Sequence, residues 1–345
     1  MDQESIHGPD NYKPLPVVLS EAKGVWVWDV DQNKYLDMMS AYSAVSHGHA
    51  HPELEKVFHE QSNTLSLTSR AFYTNTLGPY LETITKMSGF EMALPMNSGA
   101  EAVETAIKAA RRWAYRSKKI EKDKAEIIVA DGNFHGRTTT IISFSSEPNS
   151  KDDFGPHTPG FISVEFGNSQ AVEDAITKNT AAVLFEPIQG EGGDNHFRCE
   201  FFKELRNLAN EEEFLLIYDE VQTGVGITGN MWAHQSFTPH SCKCDCEDAS
   251  TAPDIISFGK KTQVCGIFAS KRLDEVEGHV FHESSRLNST WGGSLVDMVR
   301  FTIYLEIIEK ENLVQNANDM GNHLSKCLND LQANHPNIVS NVRNK

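Results

Sequence analysis

The chain has 345 residues, of which 39% are hydrophobic and 23% are charged, and its formal net charge is −17. This composition is typical of a globular protein with a large core, and the negative charge argues against a nucleic-acid or anionic-membrane partner. No apolar run is long enough to span a bilayer. Because the first ten residues are acidic and polar and the chain carries six cysteines, we expect a cytoplasmic protein without a disulfide framework.

Strand-like and helix-like stretches alternate along the chain. Short apolar runs predict strands at residues 126–130, 181–185, 214–218 and 255–258. Apolar residues at three- and four-residue steps predict helices at 101–116 and 201–211. This alternation predicts an α/β fold with a mostly parallel central sheet flanked by helices. In such sheets the active site lies at the carboxyl ends of the strands.

The start of the first long helix offers a possible anion site. Asn97, Ser98 and Gly99 precede the helix and supply a capping side chain, a hydroxyl and a residue that permits close backbone approach. Free amides at a helix start attract an anion, most readily a phosphate. Taken alone, however, the segment favours a plain N-cap over a phosphate site.

The loop that follows the strand at 126–130 reads DGNFHGRTTT. Phe134 could stack on a flat ring, and Arg137 could bind a carboxylate through two parallel hydrogen bonds. A packed phenylalanine and a surface arginine explain this loop equally well.

The stretch FLLIYDEVQTG, residues 214–224, is an apolar run that ends in Asp219. Burying an unpaired carboxylate is costly, so Asp219 requires a cationic partner. Gly224, Gly226 and Gly229 spell the dinucleotide fingerprint G-x-G-x-x-G. The tight turn from strand to helix is missing before Gly224, so we interpret these glycines as a loop.

A cysteine-rich insert, SCKCDCEDAS, follows at residues 241–250. Cys242, Cys244 and Cys246 lie near His234 and His240, so a metal site is one interpretation. The C-x-C-x-C spacing lacks the usual C-x₂-C pattern, and we therefore expect a solvated loop without a metal.

The segment PDIISFGKK, residues 253–261, places two lysines at the end of a predicted strand. Desolvation can lower the pKa of such a lysine and leave a neutral amine able to form a Schiff base. Most lysines at such positions instead extend to water. The segment itself does not choose between Lys260 and Lys261.

Taken together, these features describe a single ligand. A phosphate site, an aromatic neighbour for a flat ring, an amine for an aldehyde and a carboxylate for a ring nitrogen are what pyridoxal 5′-phosphate requires. Asp219 would then pair with the protonated pyridine nitrogen.

On these residues the chain resembles the class III pyridoxal-phosphate-dependent aminotransferases of fold type I over nearly all of its length. Residues 12–160 are similar to ornithine aminotransferases, through AYSAVSHGHAHPEL, LTSRAFYTN, LPMNSGAEAVETAIKAARRWAY and GNFHGRT. From residue 186 onward the chain is more similar to L-lysine 6-aminotransferases, through EPIQGEGGDNHFR, YDEVQTGVGITG, SFGKKTQVCG and SRLNSTWGG. Both families move the terminal amino group of a basic amino acid to 2-oxoglutarate, which gives a semialdehyde and glutamate.

The resemblance implies roles for individual residues. Lys260 matches the Schiff-base lysine, which also carries the proton between carbon atoms, and Asp219 matches the partner of the pyridinium nitrogen. The other cofactor residues implied are Gln222 at the phenolic oxygen of the ring, Ser98, Gly99 and Ala100 at the phosphate, Phe134 stacked on the ring, and Thr290 at the phosphate of the neighbouring subunit. The substrate residues implied are Arg137 for the α-carboxylate, Tyr42 and Tyr73 for the α-amino end, and Glu191 as a gate. A homodimer with the active site at the subunit interface follows from the role of Thr290.

The resemblance also implies a domain order. We expect an N-terminal segment at 1–73, a large pyridoxal-phosphate-binding domain at 74–300, and a linking helix at 301–345 with the start of a small C-terminal domain that is largely absent. That domain supplies both families with an arginine that pairs with the gating glutamate. The alternatives to an ornithine aminotransferase are therefore an L-lysine 6-aminotransferase and a truncated pyridoxal-phosphate-binding protein with little or no activity. His135 stands where ornithine aminotransferases usually carry tryptophan, so that pocket wall is altered.

Overall fold

The computed structural model describes residues 2–237 and 251–344. The strands in these residues are β1 (Leu19–Lys23), β2 (Trp26–Asp29), β3 (Lys34–Leu36), β4 (Met92–Met96), β5 (Glu126–Ala130), β6 (Phe161–Val164), β7 (Thr180–Phe185), β8 (Ile188–Gln189), β9 (Asn195–His196), β10 (Leu215–Asp219), β11 (Ile255–Phe258) and β12 (Cys265–Ala269). The helices are α1 (Asp2–His7), α2 (Ser40–Ser43), α3 (Pro52–Ser62), α4 (Leu77–Ser88), α5 (Gly99–Ser117), α6 (Thr139–Ile142), α7 (Pro148–Lys151), α8 (Ser169–Ala175), α9 (Cys199–Glu211), α10 (Lys271–Asp274), α11 (Leu295–Lys310) and α12 (Leu313–Asn334). Short 3₁₀ turns are formed by Ala233–Phe237 and Lys260–Thr262.

The main sheet of the described chain has seven strands in the order β4-β12-β11-β10-β7-β5-β6. The run from β11 to β6 is parallel, whereas β12 pairs antiparallel with both β11 and β4. The predicted α/β fold with a mostly parallel central sheet is therefore confirmed. The central strands β7, β10 and β11 are buried throughout, as parallel strands covered on both faces are.

Strand β10 shows how helices cover both faces of this sheet. Leu215 and Ile217 pack into a cluster with the alanine-rich face of α5, and Leu216 and Tyr218 pack on the opposite face with the phenylalanines of α9. Successive strand residues point to opposite faces, so one strand contributes to two cores. Each such side chain stabilises the fold by about 1.5–3 kcal/mol on burial. These two cores hold the end of β10 in a fixed position.

The predicted elements agree closely with the observed ones in the centre of the sheet. The strands predicted at 126–130 and 255–258 coincide with β5 and β11. The strand predicted at 181–185 begins one residue after β7 begins, and the one predicted at 214–218 is displaced from β10 by one residue at both ends. The helices predicted at 101–116 and 201–211 lie inside α5 and α9. The sequence did not predict β4 and β12, because Pro95 and Gly266 are residue types depleted in strands.

The glycine pattern at residues 224–229 forms a loop, as predicted. Gly226 and Gly229 have φ values of +87° and +79°, which residues other than glycine rarely adopt. Within the described residues the next element is the 3₁₀ turn Ala233–Phe237, not the helix that a dinucleotide site requires.

The C-terminal part, where the sequence predicts a linking helix, is helical over most of residues 295–334. It is divided into α11 and α12 at Asn312, whose φ of 52° ends the helical path. The boundary predicted between residues 300 and 301 lies inside α11, and the division into three domains stays a prediction.

A small antiparallel sheet, β1-β2-β3, precedes the main sheet. Asp29 holds its second turn, because its carboxylate accepts hydrogen bonds from the Asp31 amide, the Asn33 amide and side chain, and the Tyr35 hydroxyl. In the described part of the chain, every helix is too short or too polar to cross a lipid bilayer.

Candidate active site

A cavity of about 210 Å³ lies at the carboxyl ends of the parallel strands. Asp219 is the last residue of β10, Glu186 follows β7, and Lys260 follows β11 after one glycine. The topology therefore brings two acids and an amine to one edge of the sheet, as predicted for an active site in this fold. The residues that line the cavity are Gly99, Ala100, Phe134, His135, Gly136, Glu186, Glu191, Asp219, Val221, Gln222 and Lys260.

Asp219 is buried, and both oxygens of its carboxylate have hydrogen-bond partners. One oxygen, Oδ1, accepts hydrogen bonds from the Val221 amide and the Ser257 hydroxyl, both at 3.1 Å. The other oxygen, Oδ2, lies 2.7 Å from Nδ1 of His135. Burial alone would lower the pKa of His135, but the hydrogen bond and negative charge of Asp219 outweigh it and raise that pKa. The cationic partner of Asp219 within the chain is thus His135.

Glu186 is a second buried acid, and the sequence analysis missed it. Its carboxylate accepts a hydrogen bond of 3.0 Å from the Phe134 amide. Burial raises the pKa of Glu186 to about 7. The apolar run of β7 ends directly before Glu186, which is the same signal that singled out Asp219 at the end of β10.

The two neighbouring lysines occupy different environments. Lys260 lines the cavity and contacts the side-chain oxygen of Gln222. Burial lowers its pKa, against the opposing charges of Glu191, Asp219 and Glu186. Lys261 is 1% exposed and donates a hydrogen bond of 2.6 Å to the backbone carbonyl of Gln222. Burial and the charge of Lys260 lower the pKa of Lys261 to about 7. Of the two, Lys260 is the lysine that a ligand in the cavity can reach.

The start of α5 combines a cap with an opening to the cavity. The Ser98 hydroxyl accepts a hydrogen bond from the Glu101 amide, and the Glu101 carboxylate accepts one from the Ser98 amide. This reciprocal pair is a capping box. Gly99 and Ala100 line the cavity, and a Cβ atom on Gly99 would come within 2.8 Å of Val221. The plain N-cap interpretation is therefore correct for Ser98, and the helix start still faces the space where an anion would bind.

Asn97 joins this helix start to the segment that contains Thr290. Its side-chain amide donates to the Ser289 hydroxyl at 2.6 Å, and its side-chain oxygen accepts from the Gly293 amide at 3.0 Å. Thr290 itself is exposed and does not line the cavity.

A second, more open cavity of about 480 Å³ adjoins the first. Phe134 and Glu191 line both cavities, and Arg137 lines the second. The Arg137 guanidinium lies 5.6 Å from the centroid of the Phe134 ring and donates to the Ser150 hydroxyl. Arg137 thus stands outside the first cavity with donors available to a molecule that enters from the second.

Tyr42 and Tyr73 lie on the exposed surface and line neither cavity. Tyr73 is as exposed as a free side chain, and Tyr42 is 47% exposed. The structure does not bring these two tyrosines or Thr290 together with Lys260, and their functional roles stay predictions.

The insert cysteines Cys242, Cys244 and Cys246, together with His240, lie outside the described residues. His234, the nearby histidine that is described, is buried with its Nδ1 atom 2.9 Å from the Glu220 carboxylate. Glu220 also accepts hydrogen bonds from Thr223 and from the Ala233 amide, so His234 belongs to a network that holds the loop after β10.

Comparisons with known proteins identify relatives over almost the whole chain. Residues 7–345 match the sequence profile described as aminotransferase class-III. An ornithine aminotransferase of Geobacillus sp. is 45% identical over 337 residues, which cover 96% of this chain and 80% of that protein.

Solved structures agree with this relation. The ornithine aminotransferase of Toxoplasma gondii superposes with a TM-score of 0.91 at 32% identity and covers 100% of this chain and 79% of its own. A lysine aminotransferase of M. tuberculosis superposes with a TM-score of 0.87 at 31% identity and covers 99% of this chain and 83% of its own.

Proposed function

The chain belongs to the class-III aminotransferases, and from this membership we propose that it transfers the terminal amino group of ornithine to 2-oxoglutarate, leaving a semialdehyde and glutamate. The observation that carries the proposal is that Asp219 and Lys260 line the same cavity at the ends of adjacent strands. A buried acid and a desolvated amine facing one space are the two groups that this chemistry needs.

Class-III aminotransferases use pyridoxal phosphate, and the residues that line the cavity fit this cofactor. Asp219 would hold the ring nitrogen, Phe134 would cover the ring, and Lys260 would hold the aldehyde end. The start of α5 at Gly99 and Ala100 would hold the phosphate, because the helix dipole favours an anion there. When bound, the cofactor supplies a ring that withdraws electrons from the carbon next to the transferred amine.

Lys260 moves the proton in this proposal. Burial lowers the pKa of its Nζ atom, so more of the amine is neutral near pH 7 than in water. A neutral Nζ atom can take a proton from the substrate carbon and return it to another atom within reach. Gln222, which contacts Lys260 by its side chain and Lys261 by its backbone carbonyl, would position this amine.

His135 and Glu186 control the charge at the closed end of the cavity. The Nδ1 atom of His135 lies 2.7 Å from the Asp219 carboxylate, and the hydrogen bond and charge of Asp219 raise the pKa of His135. Glu186, with its pKa raised to about 7, is partly protonated at neutral pH and adds less negative charge beside Lys260. We propose that this arrangement leaves one full negative charge, on Asp219, for the ring nitrogen.

The second cavity would hold the distant end of the substrate. Arg137 has the guanidinium that binds a carboxylate through two hydrogen bonds, and the cavity it lines adjoins that of Lys260 through Phe134 and Glu191. Ornithine carries its carboxylate several bonds from the terminal amine, so one molecule would extend from Lys260 to Arg137.

Lysine is the second candidate substrate. The segments SFGKKTQVCG and SRLNSTWGG resemble L-lysine 6-aminotransferases, and the lysine aminotransferase structure superposes well. Ornithine is favoured by the identity to ornithine aminotransferases and by Tyr42, Tyr73 and Arg137, which lie in the ornithine-like part. The two substrates differ by one methylene, which a pocket distinguishes by about 1–3 kcal/mol.

We also propose that the chain works as a homodimer. Large apolar side chains are exposed in the N-terminal segment and near Thr290, including Trp26, Met38, Met39, Phe72, Tyr73 and Trp291. Exposed apolar surface of this kind marks an interaction site, and a second copy would bring Tyr42, Tyr73 and Thr290 to a neighbouring cavity.

A steady-state assay tests the proposed reaction. The protein with added pyridoxal phosphate is given 2-oxoglutarate with ornithine or with lysine, and semialdehyde and glutamate are measured, with the Lys260→Ala variant as the blank. We expect a kcat/KM for ornithine at least about tenfold above that for lysine. A higher kcat/KM for lysine would show that lysine, not ornithine, is the preferred substrate. No turnover of either amino acid by the cofactor-loaded protein would contradict the proposed reaction.

A further inference from the structure

A cluster of metal-ligating side chains lies outside the two cavities, in the segment between β12 and α11. Asp274 ends α10, and His279 and His282 follow in the next loop. The Asp274 Oδ1 atom lies 3.3 Å from Nε2 of His279 and 3.1 Å from Nε2 of His282. All three atoms lie within 4.8 Å of one another, and the two rings have centroids 4.0 Å apart.

These contacts are not satisfied hydrogen bonds. His279 is 2% exposed, and its Nε2 atom and the Asp274 Oδ1 atom are both buried without a hydrogen-bond partner in the described chain. The oxygen is close to each ring nitrogen but lies off the direction in which an N–H group would donate. A buried polar atom without a partner costs about 1–3 kcal/mol, so it requires an explanation.

A metal ion explains both the short distances and the poor donor angles. In a tetrahedral zinc site with bonds of about 2.0–2.2 Å, neighbouring ligand atoms lie about 3.3–3.6 Å apart. The metal ion lies along the lone pair of each ligating ring nitrogen. The carboxylate oxygen bound to the same ion therefore lies away from the direction in which that nitrogen would donate a hydrogen bond. The 3.3 Å between Asp274 Oδ1 and His279 Nε2 falls in this range, and the 3.1 Å between Asp274 Oδ1 and His282 Nε2 lies just below it.

We propose that Asp274, His279 and His282 form a binding site for a divalent transition-metal ion, zinc above all. Two imidazoles and one carboxylate are a donor set that zinc accepts, and Mg²⁺ or Ca²⁺ would require more oxygen ligands. His282 and Asp274 are 66% and 38% exposed, so the ion can enter from solvent and a water can take the fourth position.

The second ring nitrogen of His279 has a hydrogen-bond partner within the loop. The Phe281 amide donates to Nδ1 of His279 at 3.2 Å, which places the ring proton on Nε2. Metal binding at Nε2 moves that proton to Nδ1 and opens this contact, so the Phe281 amide reports occupancy.

The site would fasten the loop that leads toward Thr290. Arg112 of α5 already holds this loop, through hydrogen bonds to the Gly278 carbonyl and the Glu283 carboxylate. A metal bound by Asp274, His279 and His282 would join the loop to α10 as a second anchor. Because none of these residues lines the cavity of Lys260, the metal contributes to stability and leaves the amino-transfer chemistry unchanged.

Zinc titration of the 345-residue protein, freed of metal by chelation and loaded with pyridoxal phosphate, tests this site. The insert cysteines could bind zinc separately, so every protein in the comparison carries Cys242→Ser, Cys244→Ser and Cys246→Ser. We compare this background with His282→Ala and Asp274→Asn, both at partly exposed positions, and with His335→Ala as a matched exposed control.

We expect one equivalent of zinc in the background protein and in His335→Ala, and at least a tenfold loss of affinity in both site variants. Zinc should raise the Tm and shift the Phe281 amide resonance only where the site is intact, with amino-transfer activity unchanged. No zinc binding by the background protein, or equal affinity in either site variant, would overturn the proposal.

Discussion

The residues at the ends of β7, β10 and β11 and the residues of the N-terminal segment differ in how completely one chain assembles them. Asp219, Glu186 and Lys260 are enclosed, and the partners of their charges lie in the same chain. Tyr42 and Tyr73, which the family resemblance places at the substrate, lie on the surface. The difference teaches that strand ends bring charged side chains into an enclosed site within one chain, whereas exposed side chains reach such a site only if another surface covers them, as the proposed dimer would.

The physical reason lies in the surroundings of each group. The end of β10 is held by apolar packing on two faces of the sheet, so Asp219 cannot move and its charge must be compensated locally. Tyr73 is surrounded by solvent and has no packing that would fix its ring. The following predictions test this contrast, beginning with the largest effect.

The largest effect is expected from Lys260→Ala. The side chain would serve both as the amine that holds the cofactor and as the proton carrier, so kcat/KM should fall by at least about 10⁴-fold. The matched variant Lys261→Met keeps the buried stem and loses only the hydrogen bond to the Gln222 carbonyl. We expect Lys261→Met to lose about tenfold. An equal loss of kcat/KM in both variants would contradict the assignment of Lys260, and not Lys261, as the reactive lysine.

Asp219→Asn should have the next largest effect. The amide lacks the negative charge that would stabilise a protonated ring nitrogen, so kcat should fall about 10²–10³-fold. Asp131, the exposed residue that follows strand β5 of the same sheet, provides the control. Asp131→Asn should leave kcat within about twofold, because a solvated carboxylate at that position is screened. A loss in kcat for Asp131→Asn equal to that for Asp219→Asn would mean that general charge, not the buried site, sets the rate.

Glu186 provides a test by pH. Burial raises its pKa from 4.5 to about 7, so the folded chain binds more protons than the unfolded chain between these values. The carboxylate therefore destabilises the fold increasingly from pH 4.5 to pH 7 and by a constant amount above. Relative to the parent protein, Glu186→Gln should gain about 2 kcal/mol in free energy of unfolding between pH 5 and pH 8. Urea unfolding of the cofactor-free chain at both pH values measures this gain, and a pH-independent difference would contradict the raised pKa.

Arg137→Lys should affect substrate binding and spare the chemistry. Lysine keeps the charge but cannot form two parallel hydrogen bonds to a carboxylate, so KM for ornithine should rise about tenfold with kcat unchanged. The matched control is Arg198→Lys, at an exposed arginine that pairs with Glu204, and it should leave KM and kcat unchanged. A fall in kcat with constant KM would place Arg137 at the reacting atoms instead.

The smallest expected change in activity comes from mixing Lys260→Ala chains with Thr290→Ala chains. This experiment tests whether exposed residues of one chain complete the enclosed site of another. If Thr290 serves the cavity of a second copy, a mixed dimer of Lys260→Ala and Thr290→Ala chains contains one intact site. A refolded equimolar mixture should then recover about a quarter of the parent activity, because half of the dimers are mixed. Activity equal to the mean of the two separate variants would mean that Thr290 acts within its own chain or not at all.

The sequence predicted those parts of the fold and site that depend on local pattern. Apolar runs placed β5, β7, β10 and β11, and residues following these runs, such as Asp219 and Lys260, line the cavity. Glu186 carries the same signal after β7 and could have been found by the same argument. These predictions succeed because the carboxyl ends of parallel strands meet at one edge.

Other features depend on contacts that no local pattern encodes. The choice between Lys260 and Lys261 depends on the 3₁₀ turn after Gly259, which directs the first amine into the cavity and the second to the backbone carbonyl of Gln222. The contact between His135 and Asp219 joins the loop after β5 to the end of β10, 84 residues later in the chain. The cluster of Asp274, His279 and His282 likewise arises from a loop conformation, not from a recognisable metal motif.

The central claim is that Asp219 and Lys260 hold one molecule of pyridoxal phosphate between them. The direct measurement is the visible absorption of the protein with added cofactor, followed by borohydride reduction and peptide mapping, for the parent protein and for Asp219→Asn. We predict a single modified residue, Lys260, and an altered absorption band in Asp219→Asn. Label on Lys261 or on surface lysines with Lys260 unmodified, or identical spectra for the two proteins, would contradict the account.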